Sequence, residues 1–203
     1  MYQDFLRSYH PTVSIIQEGD KSLGVFSNSQ VNDLFLECGG CVFRKGVYKT
    51  HTHGSSFYWT SVIVELFQDY KDRIIPFGFD WMGRQFAVDI RDGNKLFMFD
   101  PATVEAFELP QDLYSFHNRE LVDDGDLYFD ESKYKKALTK LNRSEIDYTE
   151  CVGYKVPLFL NGKDDLENLE IGDNEVYWSF QSQIYQQVKK LPPGTKINSI
   201  KFE

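Results

Sequence analysis

The sequence predicts an α+β fold: a largely antiparallel, twisted sheet flanked by helices, with a smaller α+β subdomain at the C-terminal end. Three stretches carry that expectation. Residues 77–89 read as strand, tight polar turn and strand, with Asp80, Trp81, Gly83 and Arg84 packed into the turn. Asp92-Gly93-Asn94, between apolar runs, is a strong hairpin signal. Val31, Leu34, Phe35 and Cys38 recur at i, i+3, i+4 and i+7, which places them on one side of a helix.

In chain order, Tyr2 to His10 reads as a short helix that stops before Pro11, because the residue preceding a proline avoids the α region. Val13 to Ile16 follows as a short strand or an extended segment. Ser27 or Asn28 caps the next helix, and Gly39-Gly40 ends it with a left-handed residue. Residues 41–43 and 47–51 pair as strands around Gly46. Ser55 or Ser56 opens a second helix whose buried stripe is Trp59, Ile63, Leu66, Phe67 and Tyr70. Residues 73–79 form the strand entering the central turn. In the outgoing strand Phe86, Val88 and Ile90 alternate with Gln85, Ala87 and Asp89, the pattern of a half-buried strand. Residues 95–99 are nearly all apolar, as in a central strand, and 104–109 add one more.

A short helix opens at Asp112. The acidic stretch of Asp123, Asp124, Asp126, Asp130 and Glu131 marks the expected boundary, giving regions 1–125 and 126–203. Tyr134, Ala137, Leu138 and Leu141 define a helix face, with Glu131 and Lys135 as an i, i+4 pair. Residues 152–160 read as a strand interrupted by Gly153 and Pro157. Asn161-Gly162 turns the chain into a second acidic stretch of Asp164, Asp165, Glu167, Glu170 and Asp173. Asp173 or Asn174 caps a long helix with Val176, Phe180, Ile184 and Val188 on its buried side. Pro192-Pro193-Gly194 stops it, and 195–202 reads as a closing strand.

Composition narrows the function. Of 203 residues, 41% are hydrophobic and 26% charged, the balance of a folded globular chain. Net charge is −9, so the surface repels nucleic-acid phosphates and anionic membranes and attracts basic proteins. No apolar run reaches membrane-span length. The opening Met-Tyr-Gln-Asp-Phe-Leu-Arg lacks the basic-then-apolar layout of a signal peptide, and three cysteines do not make a disulfide framework. The expected address is the cytoplasm. No phosphate loop, dinucleotide fingerprint or serine elbow is present, and no cofactor is implied. The run Lys133, Lys135, Lys136, Lys140 and Arg143 is offset by nearby acids and reads as a solvated helix face.

One set of residues points to metal chemistry. Cys38, Cys41, His51 and His53 could supply two thiolates and two imidazoles to a tetrahedral zinc. The competing reading makes both cysteines small apolar fillers at the end of a helix and the start of a strand. We take no metal as the primary expectation and the zinc set as its alternative.

The residues 80–86 (DWMGRQF), Phe99-Asp100-Pro101 and Ser115-Phe116-His117-Asn118-Arg119-Glu120-Leu121 resemble a bacterial family. So do 153–162 (GYKVPLFLNG), Glu167-Asn168-Leu169-Glu170, Val176-Tyr177-Trp178 and 191–195 (LPPGT). The family is the immunity proteins paired with type VI secretion DNase toxins, which join a GAD-like N-terminal region to a C-terminal domain of unknown function. The first part of the chain is also similar, more loosely, to the SUKH immunity superfamily. The resemblance implies a cytosolic, non-enzymatic protein that neutralises one cognate toxin, a nuclease, by binding it. On that reading the acids Asp123, Asp124, Asp126, Asp164, Asp165, Glu167, Glu170 and Asp173 meet a basic toxin surface. Asp80, Trp81, Gly83 and Arg84 form a structural corner. A zinc-dependent enzyme and a cytosolic adaptor with no toxin partner are the alternatives.

Overall fold

The computed structural model describes residues 1–14, 26–192, 194–197 and 199–202. Ile15 and Ile16, expected in the first strand, lie outside the described residues. Seven strands form one antiparallel meander in chain order: β1 (Pro11–Ser14), β2 (Cys41–Phe43), β3 (Tyr48–Thr50), β4 (Ile74–Asp80), β5 (Gln85–Asp89), β6 (Lys95–Asp100) and β7 (Glu105–Leu109). A separate two-stranded sheet pairs β8 (Glu150–Tyr154) with β9 (Leu169–Asp173).

Helices cover both faces of the large sheet. One layer holds α1 (Gln3–Ser8), α2 (Ser29–Cys38), α4 (Leu113–Ser115, continuing as a π-helical turn over Phe116–Glu120), α5 (Leu121–Phe129) and α6 (Glu131–Lys140). Its core includes Phe5, Leu34, Phe43, Tyr48, Phe77, Phe86, Val88 and Phe129. The other layer holds α3 (His53–Leu66) and α7 (Asn174–Val188), which pack Trp59, Ile63 and Trp178 against Ile74, Ala87, Phe97 and Phe99.

That second layer overturns the half-buried expectation for β5. All five residues of the strand are buried, Gln85 and Asp89 included, whereas Ile90 just beyond it is 39% exposed. Alternation records side-chain chemistry; it does not record that α3 and α7 roof the polar face as well. A register shift between Pro76 and Gly78 lets Phe77 enter the first layer while Phe79 joins Trp59 in the second.

Caps refine several boundaries. Asn28 caps α2, and the left-handed residue after that helix is Gly40, with φ +68°. α3 starts before the expected serines: Thr52 caps it, and Ser55 closes the capping box from inside the first turn. Tyr70 falls beyond α3, on a separate 3-10 turn. Strand β8 ends at Tyr154, and after Pro157 the chain makes a 3-10 turn, Leu158–Leu160, in place of the longer strand. Residues 195–202 carry no strand among those described. The expected division at 125/126 falls inside α5, where Gly125 packs against Tyr9.

The largest correction concerns α7. Its buried residues are Asn174, Trp178, Gln181 and Ser182, while Val176 and Phe180, expected inside, are exposed. Trp178 explains the rotation. Its indole is fully buried beside Trp59 and Phe67, and it donates Nε1–H to the Gly83 carbonyl at 2.7 Å. One aromatic side chain seats the helix against the turn and swings Val176 and Phe180 outward, while Ile184 and Val188 stay half-buried.

Candidate functional site

The turn after β4 joins four parts of the molecule. Asp80 is wholly buried, and its carboxylate accepts the backbone N–H of Met82 at 2.9 Å and of Arg84 at 3.0 Å. Its other oxygen accepts Arg84 Nε–H at 2.6 Å. Arg84 also donates to the Tyr128 carbonyl at the end of α5, at 2.6 Å. Trp81 donates its indole N–H to Phe129 O at 2.5 Å and its backbone N–H to Val47 O, and its carbonyl accepts Val152 N–H. Gly83 holds φ +77°, and a Cβ there would meet Asn174 Oδ1 at 2.5 Å. The turn thus ties the large sheet to α5, β8 and α7. Burial pushes the Asp80 carboxyl above its ordinary range, against the pull of Arg84 and the two amides. At Arg84 burial alone would lower the pKa, and Asp80, with Asp100 and Tyr154, more than offsets it. Two backbone amides and the Arg84 guanidinium engage the Asp80 carboxylate, so it serves as a joint between these elements.

The eight acids divide into two classes. Asp126 accepts Glu131 N–H at 2.7 Å, Asp165 caps a 3-10 turn through Asn168 N–H, and Asp173 caps α7 through Glu175 and Val176 N–H. Asp164 pairs with Lys133 and Tyr154, and Glu167 with Lys140. Asp123, Asp124 and Glu170 are exposed, and their side chains make no hydrogen bond or ion pair among the described residues. The basic run is correspondingly less free than a solvated face. Lys133 and Lys140 clamp the 164–167 loop onto α6, and Arg143 pairs with Glu150 at 2.8 Å.

The zinc alternative is not assembled. Both ring nitrogens of His51 are engaged, Nδ1 with Ser55 Oγ at 3.1 Å and Nε2 with Gln85 Oε1 at 2.9 Å. Burial holds that imidazole at a pKa of about 4, hence neutral. His53 stacks on Phe26 and meets Phe35 edge-on. Burial raises the Cys38 and Cys41 thiols. Among the described residues, no group of three or more His, Cys, Asp or Glu side chains could hold a metal ion. No helix among them is long and apolar enough to cross a membrane.

Sequence reasoning missed two surface features. One is the exposed Val176–Phe180 end of α7. The signal was present: the helix carries one charged residue, Glu175, in fifteen. The other is an open groove of about 430 Å³ between the β2–β3 connection and α6, lined by Arg44, Lys45, Glu131, Tyr134, Lys135 and Arg143. Arg44 is spent within it, ion-paired to Glu131 and stacked on the Tyr9 ring at 3.6 Å.

Comparison with known proteins adds the following. Residues 108–185 match the family model for the C-terminal region of the T6SS immunity protein Tdi1. No curated protein sequence matches the chain significantly. The fold is similar to the crystal structure of Atu4351 from Agrobacterium tumefaciens, at a TM-score of 0.66 and 15% identity. That similarity covers 90% of this chain and 89% of the other.

Proposed function

We propose, from the place of residues 108–185 in the type VI secretion immunity family, that this protein protects its cell by binding a cognate secreted toxin. The family match is the observation that carries the proposal. The toxin is a nuclease, the site of action is the cytoplasm, and protection works by occlusion without chemistry. Two physical features support this reading. A nuclease needs cations to hold phosphate, so its substrate face is basic and attracts a chain of net charge −9. The carboxylate oxygens of Asp80 are taken up by Met82 and Arg84, and both ring nitrogens of the buried His51 and His117 are hydrogen-bonded within the fold, so these groups serve the structure.

Within the acidic set, Asp123, Asp124 and Glu170 steer the encounter, because their charges are not neutralised inside the molecule. The five engaged acids maintain the surface that carries them. Co-expression of this protein with the product of the neighbouring reading frame should rescue growth and yield a stable complex. The triple variant D123K/D124K/E170K should keep its thermal midpoint. Its association rate should fall by about 10-fold or more at low salt, with a weaker salt dependence. An unchanged rate would remove these three residues from the contact, and failure of rescue by the wild type would remove the function.

A further inference from the structure

The outer face of α7 has the composition of an interface centre, and it is open. Val176 is 50% exposed and Phe180 43%, and Phe202 packs edge-on against Phe180 with ring centroids 4.9 Å apart. Tyr58 of α3 lies at the margin, donating its hydroxyl to Glu175. Interface centres are poor in charge and rich in aromatics, with polar groups at the rim. A helix face turned to water normally shows the reverse, and α7 buries Gln181 and Asn174 while presenting Val176 and Phe180.

The rim identifies the occupant. Glu175 in the first turn of α7 accepts the Tyr58 hydroxyl, Asp173 caps the same turn, and Glu65 on α3 adds its charge to theirs. The fixed charge at this end of the helix is therefore acidic. At the other end the C-terminal segment lies back along α7: Gln187 bonds both the N–H and the carbonyl of Lys201. The open centre is displaced toward the acidic end. A second copy docked with the helices parallel would bring Asp173 and Glu175 of both chains together, which like charges disfavour; docked antiparallel it would set these acids against residues 181–183 of the other copy, a Gln-Ser-Gln run that offers no positive charge.

We infer that the Val176–Phe180 face of α7 is the apolar centre of the toxin contact, seated in a hydrophobic depression of the toxin ringed by lysine or arginine. This rests on the proposed function and adds to it the place of the salt-insensitive share of binding. Asp123, Asp124 and Glu170 set the rate of approach; Val176 and Phe180 hold the complex.

The test uses the full chain and the purified, catalytically inactivated product of the neighbouring reading frame. V176S/F180S changes only exposed side chains, and its melting curve should overlay that of the wild type. Its affinity for the toxin should drop by about 30-fold or more through faster dissociation, as loss of a central aromatic anchor gives. E65K/E175K should slow association instead. A photoreactive phenylalanine analogue at position 180 should crosslink to the toxin. Unchanged affinity in V176S/F180S overturns the inference, as does a position-180 crosslink to a second copy of this chain. So does a free wild-type dimer that the double variant converts to monomer. If the wild type itself binds no toxin, the functional reading fails and this inference with it. If the wild type binds and the double variant binds equally well, only this inference fails.

Discussion

Asp80 and Asp164 are both aspartates paired to a cation, and the fold uses them in opposite ways. Asp80 is fully enclosed and receives N–H donors from Met82 and Arg84, so its salt bridge is a joint between elements. Asp164 keeps 62% of its side chain in water and clips a loop to α6 through Lys133. Their pKa shifts differ in sign. Burial raises Asp80 despite Arg84, whereas the Lys133 and Tyr154 hydrogen bonds lower Asp164. A charge inside the protein must recover its lost hydration, and one at the rim need not. The same divide runs through the whole acidic surface and sorts joints from residues left over for a partner.

The comparison breaks most sharply at Asp80. D80N keeps the shape of the side chain and leaves Arg84 enclosed without its counter-charge. Removing one partner of a buried pair costs roughly 3–5 kcal/mol, so the variant should unfold at markedly lower urea, with loss of soluble expression at the upper end. A variant within experimental error of the wild type would show that the turn tolerates an unpaired guanidinium. G83A probes the same joint from the backbone. The φ of +77° and the 2.5 Å approach to Asn174 Oδ1 both resist a methyl group. A non-glycine residue held in that region costs on the order of 1–3 kcal/mol. Urea melts measure it, and a change in Trp178 fluorescence should accompany it, because that indole bonds the Gly83 carbonyl.

What the sequence made legible follows the same divide. The meander could be read because β6 is apolar and Asp92-Gly93-Asn94 turns the chain, and both are local facts. α2 was legible because its stripe and its Asn28 cap agree. The orientation of α7 was not. The 3.6-residue period marks Val176 and Phe180 as one face and Trp178 with Gln181 and Ser182 as another, and it cannot say which face meets the sheet. That was decided by a contact 95 residues away, from Trp178 to Gly83. The acids were legible as a class only. Whether Asp173 caps a helix or Glu170 faces water depends on where β9 ends, which composition does not record. His51 looked like a ligand by spacing and became a packed, doubly hydrogen-bonded ring because α3 and β5 close over it.

The smallest expected effect is at Asp164. A carboxyl whose pKa is lowered by folding contributes stability above its unfolded value, near 3.8, and loses it as pH falls through the folded value. Asp80, raised by folding, runs the other way, its share falling as pH rises across its own window. D164N should therefore lower stability at neutral pH by less than about 1 kcal/mol, since the pair is largely exposed and screened. The loss should shrink as pH falls through the folded value, where the wild-type carboxyl becomes protonated too. Urea midpoints of both proteins across pH 2.5–7 give the difference directly. A difference that persists at the acid end would mean that Tyr154 and Lys133 hold the 164–167 loop by shape and neutral hydrogen bonding, and that the ion pair adds nothing.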